Sequence, residues 1–323
     1  AGMPVGAAMQ VVYAFHMPLF FVISGFLARK ESLPLAGWGK LLYRKTTGLL
    51  VPYVLFALIC FYVEGGPWSI LADIAYGSRN ALYPHSSQLW FLPCLFLSVL
   101  LFQLCQNLIG MLPAKAKLPL YLAAGLFLFC AGAWFSAGRI AEIGWPFSLN
   151  VAFMGTSFMF LGWGFRFLYE KYLRNQKLLF WLVLCLSLGL GVVSVFLNRA
   201  ALEEGPFHLV SMATADYGNP LLFYLTAGLL SLAVLLLSTV VNNPVCAFIG
   251  RNTLVILCAS SLLMAAVYDG LAAAGLREML TDWRGAETIL VTGLVLGLAV
   301  PLIYLLNWFA PNLAGKAERN SRP

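Results

Sequence analysis

Charge is what this chain has least of. Asp, Glu, Lys and Arg make up 10% of its 323 residues, against 61% hydrophobic, and the mean hydropathy is +0.85. A soluble globular domain carries about a quarter charged residues, so that class is excluded. The short alternating segments of a membrane β-barrel are missing as well. So are internal repeats, low-complexity segments and an appended soluble stretch. The first residues show no signal-peptide pattern. Seven cysteines stand singly, with no CxxC pair and no Cys/His cluster at metal-ligand spacing, so they read as small hydrophobes and no metal is expected. The net charge of +7 does not point to nucleic acid, because the positive residues sit in short connections between apolar runs.

What the chain does have is apolar runs of the ~20 residues that a helix needs to cross hydrocarbon. Nine spans are expected: 6–28, 48–63, 89–111, 118–138, 147–168, 178–197, 221–241, 253–275 and 288–309. The fold class is all-α, a polytopic membrane bundle. One membrane domain is expected over 1–310, followed by a polar tail, 311–323. Fifteen of the twenty Lys and Arg follow the odd-numbered spans, and only Arg79, Arg139, Arg199, Arg277 and Arg284 lie on the other side. By the positive-inside rule the C-terminus, and with it the tail, is expected in the cytoplasm.

Ionisable residues inside the spans are almost absent, apart from His16. It lies in Phe15-His16-Met17-Pro18-Leu19-Phe20-Phe21, followed by Ser24-Gly25. An intramembrane histidine is a functional-site candidate, since hydrocarbon penalises it unless a partner or cavity receives it. Its unperturbed pKa near 6.5 suits proton transfer. Pro18 removes a helical N–H and Gly25 allows close backbone approach. The competing reading is a kinked, packed helix with a satisfied histidine. His85 and His208 read as solvated loop residues.

Three further segments stand out. Arg44-Lys45-Thr46-Thr47-Gly48-Leu49-Leu50-Val51-Pro52-Tyr53 puts basic residues just before a span, as phosphate partners or as topology charge. Gln88-Leu89-Trp90-Phe91-Leu92-Pro93 opens a span, with Trp90 either a sugar-stacking surface or an interfacial anchor. Gly250-Arg251-Asn252-Thr253-Leu254 precedes another, with Thr253 placed to cap the helix.

Together with Phe158–Arg166, these motifs resemble the acyltransferase family 3 proteins, in particular the branch related to fucose 4-O-acetylases. The resemblance implies a ten-helix core, here without its first helix, and a membrane O-acetyltransferase. Such an enzyme moves an acetyl group from acetyl-CoA to a hydroxyl of a cell-surface sugar, glycan or lipid-linked precursor. It implies His16 and Ser24 as catalytic candidates, Arg44 and Lys45 for the acyl-CoA phosphates, and Trp90 and Asn252 toward the acceptor. It also implies a bacterial inner membrane. The family's usual catalytic base lies on a helix expected upstream of Ala1, and two positions depart from its pattern: Thr47 or Gly48 replaces a basic residue, and Ser260 a histidine. A transporter or flippase is the main alternative, with a non-catalytic relative the second. No matching halves of the chain support a transporter.

Overall fold

The computed structural model describes residues 3–28, 32–64, 68–82, 86–136, 144–199, 203–204, 207–276 and 284–309. Among these, nine helices are long and apolar enough to cross a membrane, matching the number and order expected from hydropathy. The main elements are α1 (Met3–Phe26), α2 (Leu35–Lys45), α3 (Val51–Glu64), α4 (Ile70–Tyr76), α5 (Arg79–Leu82), α6 (Phe91–Gly110) and α7 (Ala114–Ser136). After them come α8 (Leu149–Leu168), α9 (Lys177–Val195), α10 (Pro220–Val240), α11 (Pro244–Arg251), α12 (Thr253–Ala273) and α13 (Arg284–Phe309). The only described strands are a two-residue antiparallel pair, β1 (Glu203–Glu204) with β2 (Phe207–His208). Residues 311–323 and His85 lie outside the described residues.

The described residues form two compact units that interleave along the chain. One is drawn from Ala1–Val5, Gly39–Pro93 and Asn243–Pro323, the other from Gly6–Trp38 and Cys94–Asn242. Within the second unit, α1 lies so close to α8 that only glycine fits at the crossing. A Cβ on Gly25 would fall on the Met159 carbonyl, and one on Gly162 on the Val22 carbonyl. Without a hydrophobic drive between helices in lipid, such small-residue contacts are how spans hold together. Further along, Leu173, Leu184, Leu232, Ala233 and Leu236 make a core shared by the π-helical turn that follows α8, Tyr169–Leu173, with α9 and α10.

The turn into α8 is strained. Phe147 and Ser148 are both left-handed, at φ 52° and 51°, in residues that pay for that conformation. Ser148 is nevertheless buried, and its carbonyl accepts from the Cys94 thiol at 3.8 Å. The connection before α10 is built around Asn198. Its Nδ2 donates to the Tyr217 carbonyl at 2.9 Å, and its Oδ1 accepts from the Asn219 amide at 2.8 Å.

In the first unit, α12 and α13 pack through Val255, Ala299 and Ile303 at one level and Val267, Leu271 and Val291 at another. Cys60, Cys94 and Cys258 are buried as small hydrophobes, whereas Cys130, Cys185 and Cys246 are exposed. Exposed leucines and tryptophans are frequent, among them Trp134 and Trp308. That is the expected surface where the surrounding solvent is hydrocarbon and its interface.

The α1–α8 contact predicts a sharp contrast between glycines. Gly25→Ala or Gly162→Ala is expected to cost about 1–3 kcal/mol through overpacking. Gly189→Ala, where a Cβ meets nothing within 4 Å, should leave stability unchanged. Thermal denaturation of detergent-purified variants, followed by monodispersity, reads the difference; equal midpoints for all three would refute the close contact.

Candidate functional site

The chemistry on α1 begins with its own backbone. Pro18 has no N–H, so the Ala14 carbonyl one turn earlier lacks its usual helical donor. Two residues before Pro18, the His16 ring turns back along the helix. Nδ1 lies 2.8 Å from the Val12 carbonyl, and Tyr13 meets the ring edge-on at 5.3 Å. A carbonyl can only accept, so Nδ1 carries the proton and neutral His16 keeps its lone pair on Nε2. Nε2 has no hydrogen-bond partner among the described residues. The ring is half-buried, so this lone pair sits in an apolar span without being sealed from a substrate.

Ser24 is placed differently. Its hydroxyl donates to the Phe20 carbonyl at 2.8 Å, a bond within its own helix. Eight residues separate it from His16, about 12 Å of helical rise, so the two do not form a nucleophile–base pair. The end of α1 is fixed by a residue that sequence reasoning counted only as topology charge. Arg166 on α8 donates from Nη1 to the Ala28 carbonyl at 2.9 Å and from Nε to Glu170 at 2.8 Å. Asn107 on α6 does the same for the chain just beyond, pairing with both the N–H and the C=O of Leu33 at 2.9 and 2.8 Å. The amides Gln103, Gln106 and Asn107 in one apolar run were the available signal.

The remaining candidates belong to the other unit. Arg44 and Lys45 form the last turn of α2, which runs through a π-helical turn, Thr46–Leu50, directly into α3. The basic connection is therefore helical, not an extended loop. Val51 N–H reaches back five residues to the Thr46 carbonyl, and Pro52 supplies no donor for the next. Within the turn, Thr47 donates its hydroxyl back to the Tyr43 and Arg44 carbonyls, at 2.8 and 3.2 Å. π-turns of this kind are frequent at functional sites. Tyr53, one turn on, donates to the Ile74 carbonyl at 2.6 Å and pins α3 to α4.

Trp90 ends a short 3₁₀ turn, Ser87–Trp90, and is only 2% exposed, with Phe91 edge-on at 6.1 Å. It is a packed core residue with little of its ring exposed. Its neighbour Gln88 donates to Ser261 on α12. Ser260, the residue standing in place of a family histidine, donates to the Leu257 carbonyl of its own helix at 2.8 Å.

The α11–α12 turn corrects one expectation. Thr253 does not cap α12. Its hydroxyl donates backward to the Ile249 and Gly250 carbonyls at the end of α11, both at 3.0 Å. The N-cap position falls to Asn252, whose side chain caps nothing and whose Nδ2 donates to the Phe248 carbonyl at 2.8 Å. Asn252 is 3% exposed, yet its Oδ1 is buried without a partner. A buried carbonyl left unpaired costs about 1–3 kcal/mol, so Asn252 Oδ1 is an uncompensated acceptor in this turn.

Among the described residues, no three His, Cys, Asp or Glu side chains come together as a metal site. The pieces with chemistry are a base-capable imidazole on α1, a basic helix end with a π-turn, and a buried unpaired amide oxygen at the α11–α12 turn. No curated protein and no solved structure matches the chain. The family model for the acyltransferase domain matches residues 3–308, nearly the whole chain. The protein with His16 on its first described helix thus belongs to acyltransferase family 3.

Proposed function

We propose that this integral membrane protein is an O-acetyltransferase that moves an acetyl group from acetyl-CoA to a hydroxyl of a cell-envelope sugar, glycan or lipid-linked precursor. The single observation that carries the reading is the His16 tautomer, fixed by Val12 so that Nε2 is the basic nitrogen. In the proposed reaction Nε2 takes the acceptor hydroxyl's proton as its oxygen attacks the thioester carbonyl. The new C–O bond forms, the C–S bond breaks, and the imidazolium returns its proton to the leaving thiolate. The products are the acetyl ester and free CoA. Val12 and Tyr13 hold the ring in orientation throughout.

Arg44 and Lys45 are assigned to the CoA phosphates. Guanidinium and ammonium groups at the end of an amphipathic helix suit phosphates held at a membrane surface. Asn252 is assigned to the acceptor, its Oδ1 receiving a sugar hydroxyl. Trp90 is packed in the core of its own unit, with little surface left to meet a substrate. Ser24 serves helix geometry, since its hydroxyl is already engaged. The lysine- and arginine-rich ends are assigned to the cytoplasmic face of a bacterial inner membrane, where acetyl-CoA is made.

His16→Asn retains a side chain that can donate to Val12 but offers no base. Acetyl transfer from labelled acetyl-CoA, measured in nanodiscs, should fall by at least about 100-fold with thermal stability unchanged. Full activity in that variant would remove His16 from the base role. Failure of the unmodified protein to hydrolyse or transfer acetyl with any glycan acceptor would sink the whole reading. Solute uptake without acyl-CoA would favour a carrier.

Asn252→Ala separates binding from folding. It removes one hydrogen bond worth about 0.5–1.5 kcal/mol and relieves an unsatisfied acceptor of similar cost, so the melting midpoint should barely move. The KM for the acceptor should rise about tenfold, the equivalent of one good hydrogen bond, with the KM for acetyl-CoA unchanged. A lowered midpoint with unchanged KM would make Asn252 purely structural.

A further inference from the structure

The second unit carries an apolar groove of about 400 Å³ that the proposed acetyl transfer does not use. Its walls are α7 and α10 and its floor is α8. One end is closed where Phe129 meets Tyr224 at 4.9 Å. Tyr224 directs its hydroxyl onto the Ser157 carbonyl at 3.1 Å and so turns only its ring to the groove. Along the floor, Tyr121 lies 4.5 Å from Trp163. The rims are exposed leucines, Leu122 and Leu126 on α7 and Leu221 and Leu225 on α10. All of these residues lie in helices that span the membrane, so the groove is entered sideways from hydrocarbon and not from water.

The open end carries positive charge. Leu118, which lines it, follows Lys115 and Lys117 in sequence. Phe167, also in the lining, has Lys171 Nζ 5.2 Å from its ring centroid, and the same ammonium lies 5.0 Å from Tyr172. The nearby acid Glu170 is already paired with Arg166 at 2.8 Å. Lys171 thus lies at this mouth, Lys115 and Lys117 precede the lining residues Leu118 and Tyr121 by three and four residues on the same helix, and the acid Glu170 is paired to another cation. A ligand that fits must have a hydrocarbon chain continuous with an anionic head at the membrane interface.

We propose that the groove is a binding site for an anionic phospholipid of the surrounding bilayer, with one acyl chain against Tyr121 and Trp163 and its phosphate among Lys115, Lys117 and Lys171. Of the two glycines in the lining, Gly125 lies against Phe160 and Gly164 borders open space. A Cβ on Gly164 would meet nothing within 4 Å, so the gap beside it is not filled by the protein's own side chains. The site is independent of the acyl-transfer reading and holds whether or not that reading does.

Trp163 is a built-in reporter. The full chain is reconstituted in phosphatidylcholine vesicles with rising fractions of dibrominated phosphatidylglycerol, and the Trp163 signal is isolated by subtracting Trp163→Phe. Quenching should saturate at a low fraction of the anionic lipid and require a much higher fraction of dibrominated phosphatidylcholine. Lys115→Gln, Lys117→Gln or Lys171→Gln should each raise the half-saturating fraction by about fivefold. Gly164→Leu, whose Cβ would meet nothing within 4 Å, should abolish the saturable component while the circular dichroism stays unchanged. Quenching that follows bulk lipid fraction equally for both headgroups overturns the proposal. So does displacement of the brominated lipid by palmitoyl-CoA, which would make the groove an acyl-donor channel. If Gly164→Leu fails to fold, the lysine variants decide the question alone.

Discussion

The contact between the backbones of α1 and α8 governs what the His16 helix can do. Gly25 lies against the Met159 carbonyl and Gly162 against the Val22 carbonyl, so the two spans meet without intervening side chains. That closeness fixes the rotation of α1 about its axis. Arg166, one turn past Gly162, reaches the Ala28 carbonyl from there and closes the end of α1. With α1 held at both places, the stretch containing Pro18 is constrained on its C-terminal side. The histidine, just before it, keeps a defined face. A base whose position is set by packing pays little to be oriented at the moment of reaction.

The second constraint is backbone satisfaction at membrane depth. Hydrocarbon offers no replacement partners, so each interruption of a helical ladder needs a local remedy. At the entrance to α3 the interruption is a π-turn with Pro52 just beyond, and within it Thr47 turns its hydroxyl back onto two carbonyls. A larger basic residue at that position would bring charge toward the site and lose these bonds. Threonine there holds the helix end with its hydroxyl, and the proposed phosphate contact rests on Arg44 and Lys45 alone. Thr253 acts in a similar way, since its hydroxyl serves the end of α11 and leaves the start of α12 uncapped.

The spans were legible in the sequence because length and hydropathy are local properties, and nine runs of apolar residues became nine helices among the described residues. The His16 motif was legible for the opposite reason: an ionisable group stands out where almost none occur. Trp90 was not legible, since a tryptophan at the start of a span reads the same whether it is buried or at the interface. Its burial, with 2% of the residue exposed, comes from the packing of the first unit and not from local sequence. Arg166 and Asn107 were missed because a search for ionisable groups and positive-inside charge gives one arginine a bulk role and ignores amides. Their partners, Ala28 and Leu33, are 138 and 74 residues away in sequence.

Most hydroxyls in the spans are already consumed, which narrows where chemistry can occur. Ser24, Ser187 and Ser260 donate within their own helices, and Ser98 and Thr156 bond across α6 and α8 as well. In a low-dielectric interior each such bond lowers the cost of a polar group but removes it from reaction. What stays uncommitted is therefore informative. His16 Nε2 is a lone pair without a donor, and Asn252 Oδ1 is a buried acceptor without one, although it belongs to the other unit. Both are acceptors, and an acceptor sugar is rich in hydroxyl donors. Unpaired donors occur as well, since the Trp145 indole N–H and the Ser231 hydroxyl are also buried without partners among the described residues, so the uncommitted groups include both kinds that acyl transfer calls on: acceptors for a hydroxyl and donors for a thioester carbonyl.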